Sequence, residues 1–501
     1  MSRKILILIF VLFVFQAQAS FDPDENCIRA HTAILNLQFD EAHAILAREK
    51  VLFPKNQLAL VLDNYIAFLK ALLSEDPKDI TEMEKLLKLT IPLLEESGHN
   101  SPYRRPALAQ LHLQTAYIQI RSGNNLAAAL GIGKAYRLLS ENQKQFPGYK
   151  AGNPQTGLLH VIIGSIPPEY KWLPKLLQIE GSVVKGESEI MSVIDDKTGD
   201  KLVAMMAPEC LMMLTFIAIQ IDDEKPLQRQ ILQLFEKPGI EMAVRQSPLL
   251  AYAHAMLLIK LGRNDDAIAL LINRFKPEGQ YTFHTLDYLL GTARLNRLDK
   301  EANLDLLKFA AGFKGKNLIK SAYQRLAWYY LLQGNKADYS FYMQRVITYG
   351  ATHTESDKKG FQDAESGLEP APALLRARLL FDGGYYAQAL EQLSLFKPLS
   401  ADVIPKYRLE YYYRKARILQ QMDKLDQALD YYNIVLKEGA TSPYYFAANS
   451  ALNMGNIYAS RGKASMARTY YEKCLSLDYT EYKSGISQEA HARLSRLNVK
   501  K

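Results

Sequence analysis

The chain has 501 residues, too many for one compact core, so several domains or a stacked array are expected. Hydrophobic residues make up 48% and charged residues 23%, and with only 27 Gly and 21 Pro a disordered or collagen-like chain is excluded. The formal net charge of +8 falls to +6 without Arg3 and Lys4, a mild, dispersed excess where nucleic-acid binding would want a concentrated basic patch.

Residues 1–19 read as an export signal: Arg3 and Lys4, then the apolar run Ile5 to Phe15, then Ala17-Gln18-Ala19 as a small-x-small cleavage site, with cleavage after Ala19. As a helix the run rises about 16 Å, short of a hydrocarbon core of roughly 30 Å. An uncleaved anchor is the other reading. No later segment reads as apolar enough to span, so the mature chain is expected to lack a transmembrane segment. Cys27 follows "DPDEN", which is no lipobox. Cys27, Cys210 and Cys474 are odd in number and far apart, which implies no disulfide framework. The chain has no Asn-x-Ser/Thr sequon, which favours a bacterial envelope, either the periplasm or an outer-membrane-associated place.

Residues 20–150 read as helical hairpins. Ala30 and Ala42 lie twelve apart with Pro54 twelve later, and Ala116 and Ala128 repeat the spacing around "RSGNN". Cys27 and His31 share a helix face, with His43 across the hairpin. Soft ligands so placed can hold a metal, but an ordinary N-terminal hairpin is the stronger reading and no metal is expected. Residues 151–200 interrupt the beat with Pro154, Pro167, Pro168, Pro174 and several glycines: a loop, a short apolar helix and a bend. Tyr170 and Trp172 beside the double proline form a possible second surface. Residues 201–349 hold weaker hairpins, marked by Ala255 with Ala267 and by copies near Gly291 and Ala327. Residues 350–370 are polar and read as a surface loop.

From 371 to 501 the pattern is regular. Ala377, Ala416 and Gly455 step by 39, as do Ala389, Ala428 and Ala467. Leu380, Leu419 and Tyr458 step with the first row, and Leu393, Tyr432 and Tyr471 with the second. Small residues let two antiparallel helices approach, and large neighbours fill the gap above and below. This resembles the tetratricopeptide repeat, a helix-turn-helix unit of roughly 34 residues, here somewhat longer. The resemblance implies an all-α solenoid of stacked antiparallel hairpins, whose concave face is lined by the first helix of each. In this reading Cys474 is a small buried residue rather than a reactive thiol. The double-proline segment and the C-terminal "YTEYKSGISQEAHARLSRL" also resemble parts of the eukaryotic inclusion-body-clearance family of helical-repeat proteins.

No catalytic motif is present: the chain lacks His-Glu-x-x-His, Gly-x-Ser-x-Gly, Cys-x-x-Cys and Gly-x-Gly-x-x-Gly. "GNIYASRGKA" imitates a phosphate loop, but its glycines are too far apart and Ala464 stands where a Ser or Thr should be. No cofactor is expected. Positions turned toward the concave face are Arg378, Tyr413, Arg414, Arg417, Asn449, Asn453 and Asn456. Arg over Tyr and Asn makes a peptide groove in which Arg takes a carboxylate and Asn holds backbone. The alternative is that Arg378 and Arg417 pair internally with acids such as Glu410. Most of the 30 tyrosines fall at repeat-core spacing and read as packing. The expectation is an exported, non-enzymatic scaffold for a protein or peptide partner. Its rivals are a glycan- or nutrient-binding protein using Trp172 and Trp328, a lipid binder built on "LLHVIIGSI", and an enzyme for which no residues can be nominated.

Overall fold

The computed structural model describes residues 20–96, 101–121, 123–166, 179–221, 225–400 and 403–499, and their regular secondary structure is α-helical. Among them the one β feature is an isolated bridge between Ser20 and Asn56. The chain is an all-α stack of antiparallel hairpins.

One geometry recurs in eight of them. Ala30, Ala116, Ala255, Gly291, Ala327, Ala377, Ala416 and Gly455 each sit on a first helix. Seven residues later stand Leu37, Gly123, Gly262, Leu298, Gly334, Gly384, Asp423 and Gly462, every one in the left-handed region at φ between 56° and 85°. The hydrogen bonds match as well. In the last hairpin the Gly462 amide donates to the Ala459 carbonyl and the Lys463 amide to the Tyr458 carbonyl. The pairs Asp423/Lys424 and Gly384/Tyr385 donate at the same offsets. This is a Schellman cap, which satisfies the last carbonyls of the first helix while reversing the chain. The small residues are buried: Ala377, Ala389, Ala416, Ala428 and Ala467 are all 0% exposed. A Cβ on Gly455 would run into the Tyr471 ring, so the aromatic that fills the gap is what requires glycine there.

Helices Asn153–Gly164 and Val183–Ile194 also pack as a hairpin, in the region read as an interruption. Here backbone meets backbone. A Cβ on Gly157 would lie 2.6 Å from the Gly186 carbonyl oxygen, and one on Gly186 would lie 3.0 Å from the Val161 amide. The apolar run that suggested a lipid site is divided: Val161 meets Gly186, Leu159 packs with Ala109, Ala135 and Leu139, Ile162 is exposed, and His160 is buried with its ring 2.6 Å from the Glu189 carboxylate.

Two expectations are corrected. Residues 350–370 are not a loop: Glu355–Ser366 is a helix packed along Ile319–Leu332. It is polar because charged groups hold it. Asp357, fully buried, accepts from the Leu318 amide (2.7 Å) and the Ser321 amide (2.9 Å), capping the neighbouring helix. Asp363 accepts from Gln324 at 2.8 Å. The second correction is Lys201–Gln220, which is long and apolar enough to cross a membrane. Its composition has a packing explanation, since Leu202, Val203, Cys210, Leu211, Leu214, Ile217 and Ala218 are buried against the helices around it. Mid-helix, Glu209 meets the His31 ring at 2.5 Å.

Contacts far apart in sequence bind parts of the stack to each other. The first turn is held from the middle of the chain: Ser247 Oγ donates to the Leu35 carbonyl (2.5 Å) and the Tyr281 amide to the Leu37 carbonyl (2.8 Å). Glu75 ends helix Leu58–Ser74 in a left-handed conformation. Its carboxylate accepts from Arg121 (2.9 Å), the amides of Lys316 (3.1 Å) and Asn317 (3.2 Å), and the Asn317 side chain (2.7 Å). Although burial pushes its pKa up, Arg121 and Asn317 outweigh that and hold the carboxyl below its usual range.

Candidate binding groove

The repeat register places an arginine one residue after the small position in two successive hairpins, Arg378 in Pro372–Asp382 and Arg417 in Pro405–Gln421. Both are half-buried and both lie over aromatic rings. The Arg378 guanidinium is 4.8 Å from the Trp328 ring centre, and Arg417 is 4.8 Å from Phe381, the ring of the preceding hairpin. Arg417 also donates to the Tyr413 hydroxyl at 2.9 Å. The rings orient the guanidinium planes and exclude water from one face of each.

These residues line a cavity of about 320 Å³. Arg378, Phe381 and Asp382 form one wall, Tyr413, Arg414 and Arg417 the next, and Tyr445 and Asn449 the third. The fourth wall comes from the end of the chain: Tyr482, Gly485, Ile486 and Glu489. A second, smaller space of about 60 Å³ shares Arg378, Arg414, Tyr445 and Tyr482 with the first and adds Trp328, Lys359, Lys406 and Glu481.

Five of the seven expected groove residues therefore meet at one cavity: Arg378, Tyr413, Arg414, Arg417 and Asn449. Asn453 and Asn456 do not line it. The Asn453 amide folds back along its own helix onto the Asn449 carbonyl (2.7 Å) and side chain (2.8 Å). Asn456 accepts from the Tyr471 hydroxyl at 2.8 Å within its own hairpin. Internal pairing also fell differently from expectation. Glu410 binds Arg414, through Nε at 2.7 Å and through Nη2. Arg378 reaches Asp382 only at 3.9 Å, and Arg417 has no carboxylate partner among the described residues. Tyr413 is 2% exposed and serves mainly as packing, edge-on to Tyr445 at 5.5 Å. Tyr170 and Trp172 fall outside the described residues.

Phe381 lies beside the groove row as the register places it; the lining residues that sequence reasoning missed are Asp382, Tyr445, Lys359, Lys406 and, near the C-terminus, Glu481, Tyr482, Gly485, Ile486 and Glu489. Tyr445 carries the signal of a core residue, and nothing local marks the C-terminal segment as returning to the concave face.

The N-terminal metal candidates separate: His31 turns to Glu209 and His43 lies 3.4 Å from Asp63. Asp24, Cys27 and Glu49 do come close together, but each is engaged. Asp24 caps the Cys27 amide (2.8 Å), and Glu49 accepts from Asn26 (3.0 Å) and Asn56 (2.9 Å). Burial, followed by Asp24 and Glu49, pushes the Cys27 thiol well up, so it is protonated and a poor ligand. Cys210 and Cys474 are likewise fully buried, their thiols raised by burial.

The sequence profile described as the tetratricopeptide repeat matches residues 409–437 and 448–481, which are the second and third hairpins of the C-terminal array. No curated protein matches the chain. Among solved structures, the TPR domain of P58(IPK) aligns at 12% identity over 88% of this chain and 98% of that one, with a TM-score of 0.21. The APC/C hetero-tetramer Cut9-Hcn1 aligns at 11% identity over 93% and 95%, with a TM-score of 0.23. Scores this low do not establish superposition, so the assignment rests on the matched repeats and the hairpins they fall on. On that evidence, residues 409–437 and 448–481 are tetratricopeptide repeats, set within a longer stack of helical hairpins.

Proposed function

We propose that the protein is a non-enzymatic scaffold of the bacterial cell envelope, exported through residues 1–19, whose C-terminal groove holds a peptide or helix of a protein partner. Tetratricopeptide repeats in general mediate protein–protein interaction. The observation that carries the reading is the convergence of Arg378 and Arg417 from successive hairpins on one 320 Å³ cavity, each guanidinium stacked on a ring with donors left for a ligand. A fixed guanidinium fork matches a carboxylate or a peptide carbonyl with little rotamer freedom to lose. The protein would work by presentation, with no cofactor.

The rivals gain less support. Trp328 is 4% exposed and covered by Arg378, a poor platform for a sugar ring. In the apolar run at 158–166, Leu159 and Val161 are buried in packing between helices. Crosslinking in the native envelope, with mass spectrometry of the captured species, tests the reading. A defined protein captured by the wild type and lost from the R378A/R417A double variant is expected. Capture unchanged in the double variant moves the site elsewhere, and capture of glycan or lipid alone overturns the proposal.

A further inference from the structure

The wall of the groove formed by the chain's own end has the features of a bound peptide. Glu481 sits between two helices that are distant in sequence: Lys359 approaches its carboxylate at 3.1 Å and Lys406 at 3.4 Å. Lys359 is also 2.9 Å from Asp363. Burial works against its charge, but Asp363 and Glu481 outweigh that and keep it a cation. Next to Glu481, the Tyr482 ring stands edge-on to Tyr445 at 5.1 Å and beneath the Lys359 ammonium at 5.6 Å. Tyr482 lines both spaces, as do Arg378, Arg414 and Tyr445.

Two signs mark this occupant as imperfectly seated. Tyr482 is held at φ 56°, a left-handed conformation that a bulky side chain adopts at a cost. Glu481 Oε2 is buried with no hydrogen-bond partner among the described residues. A segment tethered to the same chain tolerates both defects because its effective concentration is high. A separate peptide free of the tether can present the same groups without the strained backbone.

Building on the reading of the groove as a partner site, we propose that Glu481 and Tyr482 are its internal occupant, and that the partner presents the same pair, an acidic residue followed by an aromatic one, and displaces them. The acid is taken by Lys359 and Lys406, and the aromatic ring by Tyr445 and the Lys359 ammonium. Tyr482 borders both spaces, so its displacement opens the site toward Arg378, which also borders both.

The probe is an N-acetylated, C-amidated synthetic peptide of residues 477–486, LDYTEYKSGI, followed by fluorescence anisotropy against the full mature chain. An occupied site lowers apparent affinity by the fraction of molecules that are open. The peptide is therefore expected to bind the E481A/Y482A variant at least about tenfold more tightly than the wild type. Adding K359A/K406A to that variant should remove the gain, while a peptide with Glu and Tyr both replaced by Ala should bind neither protein. E481Q keeps the side-chain volume, and the same direction of change is expected from it if the double variant is poorly folded by circular dichroism. Equal affinity for wild type and both opened variants, or no binding to either, overturns the proposal. If the peptide fails while the R378A/R417A variant still loses its crosslinked partner, the pair is wrong and the groove stands. If both fail, the groove reading itself is wrong.

Discussion

The C-terminal array, 372–476, and the part of the chain before residue 318 are built from the same hairpin but held together differently. In the array, the three hairpins pack chiefly on their sequence neighbours, repeat at 39 residues and reuse one Schellman cap. The earlier part uses the same cap in Leu37, Gly123, Gly262 and Leu298, yet is also tied by bonds spanning more than 200 residues, from Ser247 to Leu35 and from Glu75 to Asn317. An array of nearest-neighbour contacts gains stability in increments, hairpin by hairpin. A region closed by long-range polar contacts depends on a few residues whose loss is felt far away. The contrast can be broken at those residues.

The largest effect is expected at Glu75. E75A removes a side chain that is 9% exposed and leaves Arg121 and two backbone amides without their acceptor, which should cost about 3 kcal/mol in urea unfolding. Because the folded-state pKa of Glu75 is depressed, its contribution is present above the unfolded-state value near ~4.3 and is lost as pH falls through the folded-state value. Wild type should thus lose more stability than E75Q on acidification below about pH 4. An equal loss in the two proteins would remove Glu75 as the tie.

Next is a pair that sets backbone contact against side-chain contact. G186A drives a Cβ into the Gly157 carbonyl and close to the Val161 amide, neither of which can rotate away, and about 2–3 kcal/mol is expected. In G455A the obstacle is the Tyr471 ring, which can shift, so about 1–2 kcal/mol is expected. Thermal unfolding of the two variants ranks them, and the reverse order would mean that Tyr471 is less mobile than the 157–186 backbone. The smallest effect is a gain. Asp423 is exposed and holds φ 58° where Gly384 and Gly462 stand in the flanking hairpins. D423G should stabilise by roughly 0.5–1 kcal/mol by relieving the left-handed penalty, net of glycine's greater unfolded-state entropy. A loss of stability would show that Asp423 contributes more than its backbone position.

The polar helix Glu355–Ser366 shows how a legible signal is outweighed. Thr354 accepts from the Asp357 amide at 3.1 Å, and Gly367 ends the helix at φ 63°, so both start and stop were written in "TESD" and "ESG". What hid them was the absence of an apolar stripe, and burying the Asp357 carboxylate rather than hydrocarbon is a choice that only its neighbours make sensible. Helix Lys201–Gln220 is the converse case: its apolarity was plain, but whether such a run faces lipid or a protein core depends on what surrounds it.

By itself, the sequence determined the regular hairpins, their register and the turn that closes them, though the 153–194 hairpin read as an interruption and the 355–366 helix as a loop. Small residues twelve apart, with a turn at the seventh position, permit one close-packed arrangement of two helices. It also placed Arg378 and Arg417 together, because equivalent positions in successive repeats must face the same way. Only the tertiary structure decided that Asn453 and Asn456 bond within their own hairpin, that Glu410 belongs to Arg414, and that the Glu481–Tyr482 segment returns to the groove. The reason is range. Periodicity reports on contacts between residues a fixed step apart, whereas the pairing of Glu481 with Lys359 or of Glu75 with Asn317 depends on the summed curvature of every hairpin between them, which no local pattern encodes.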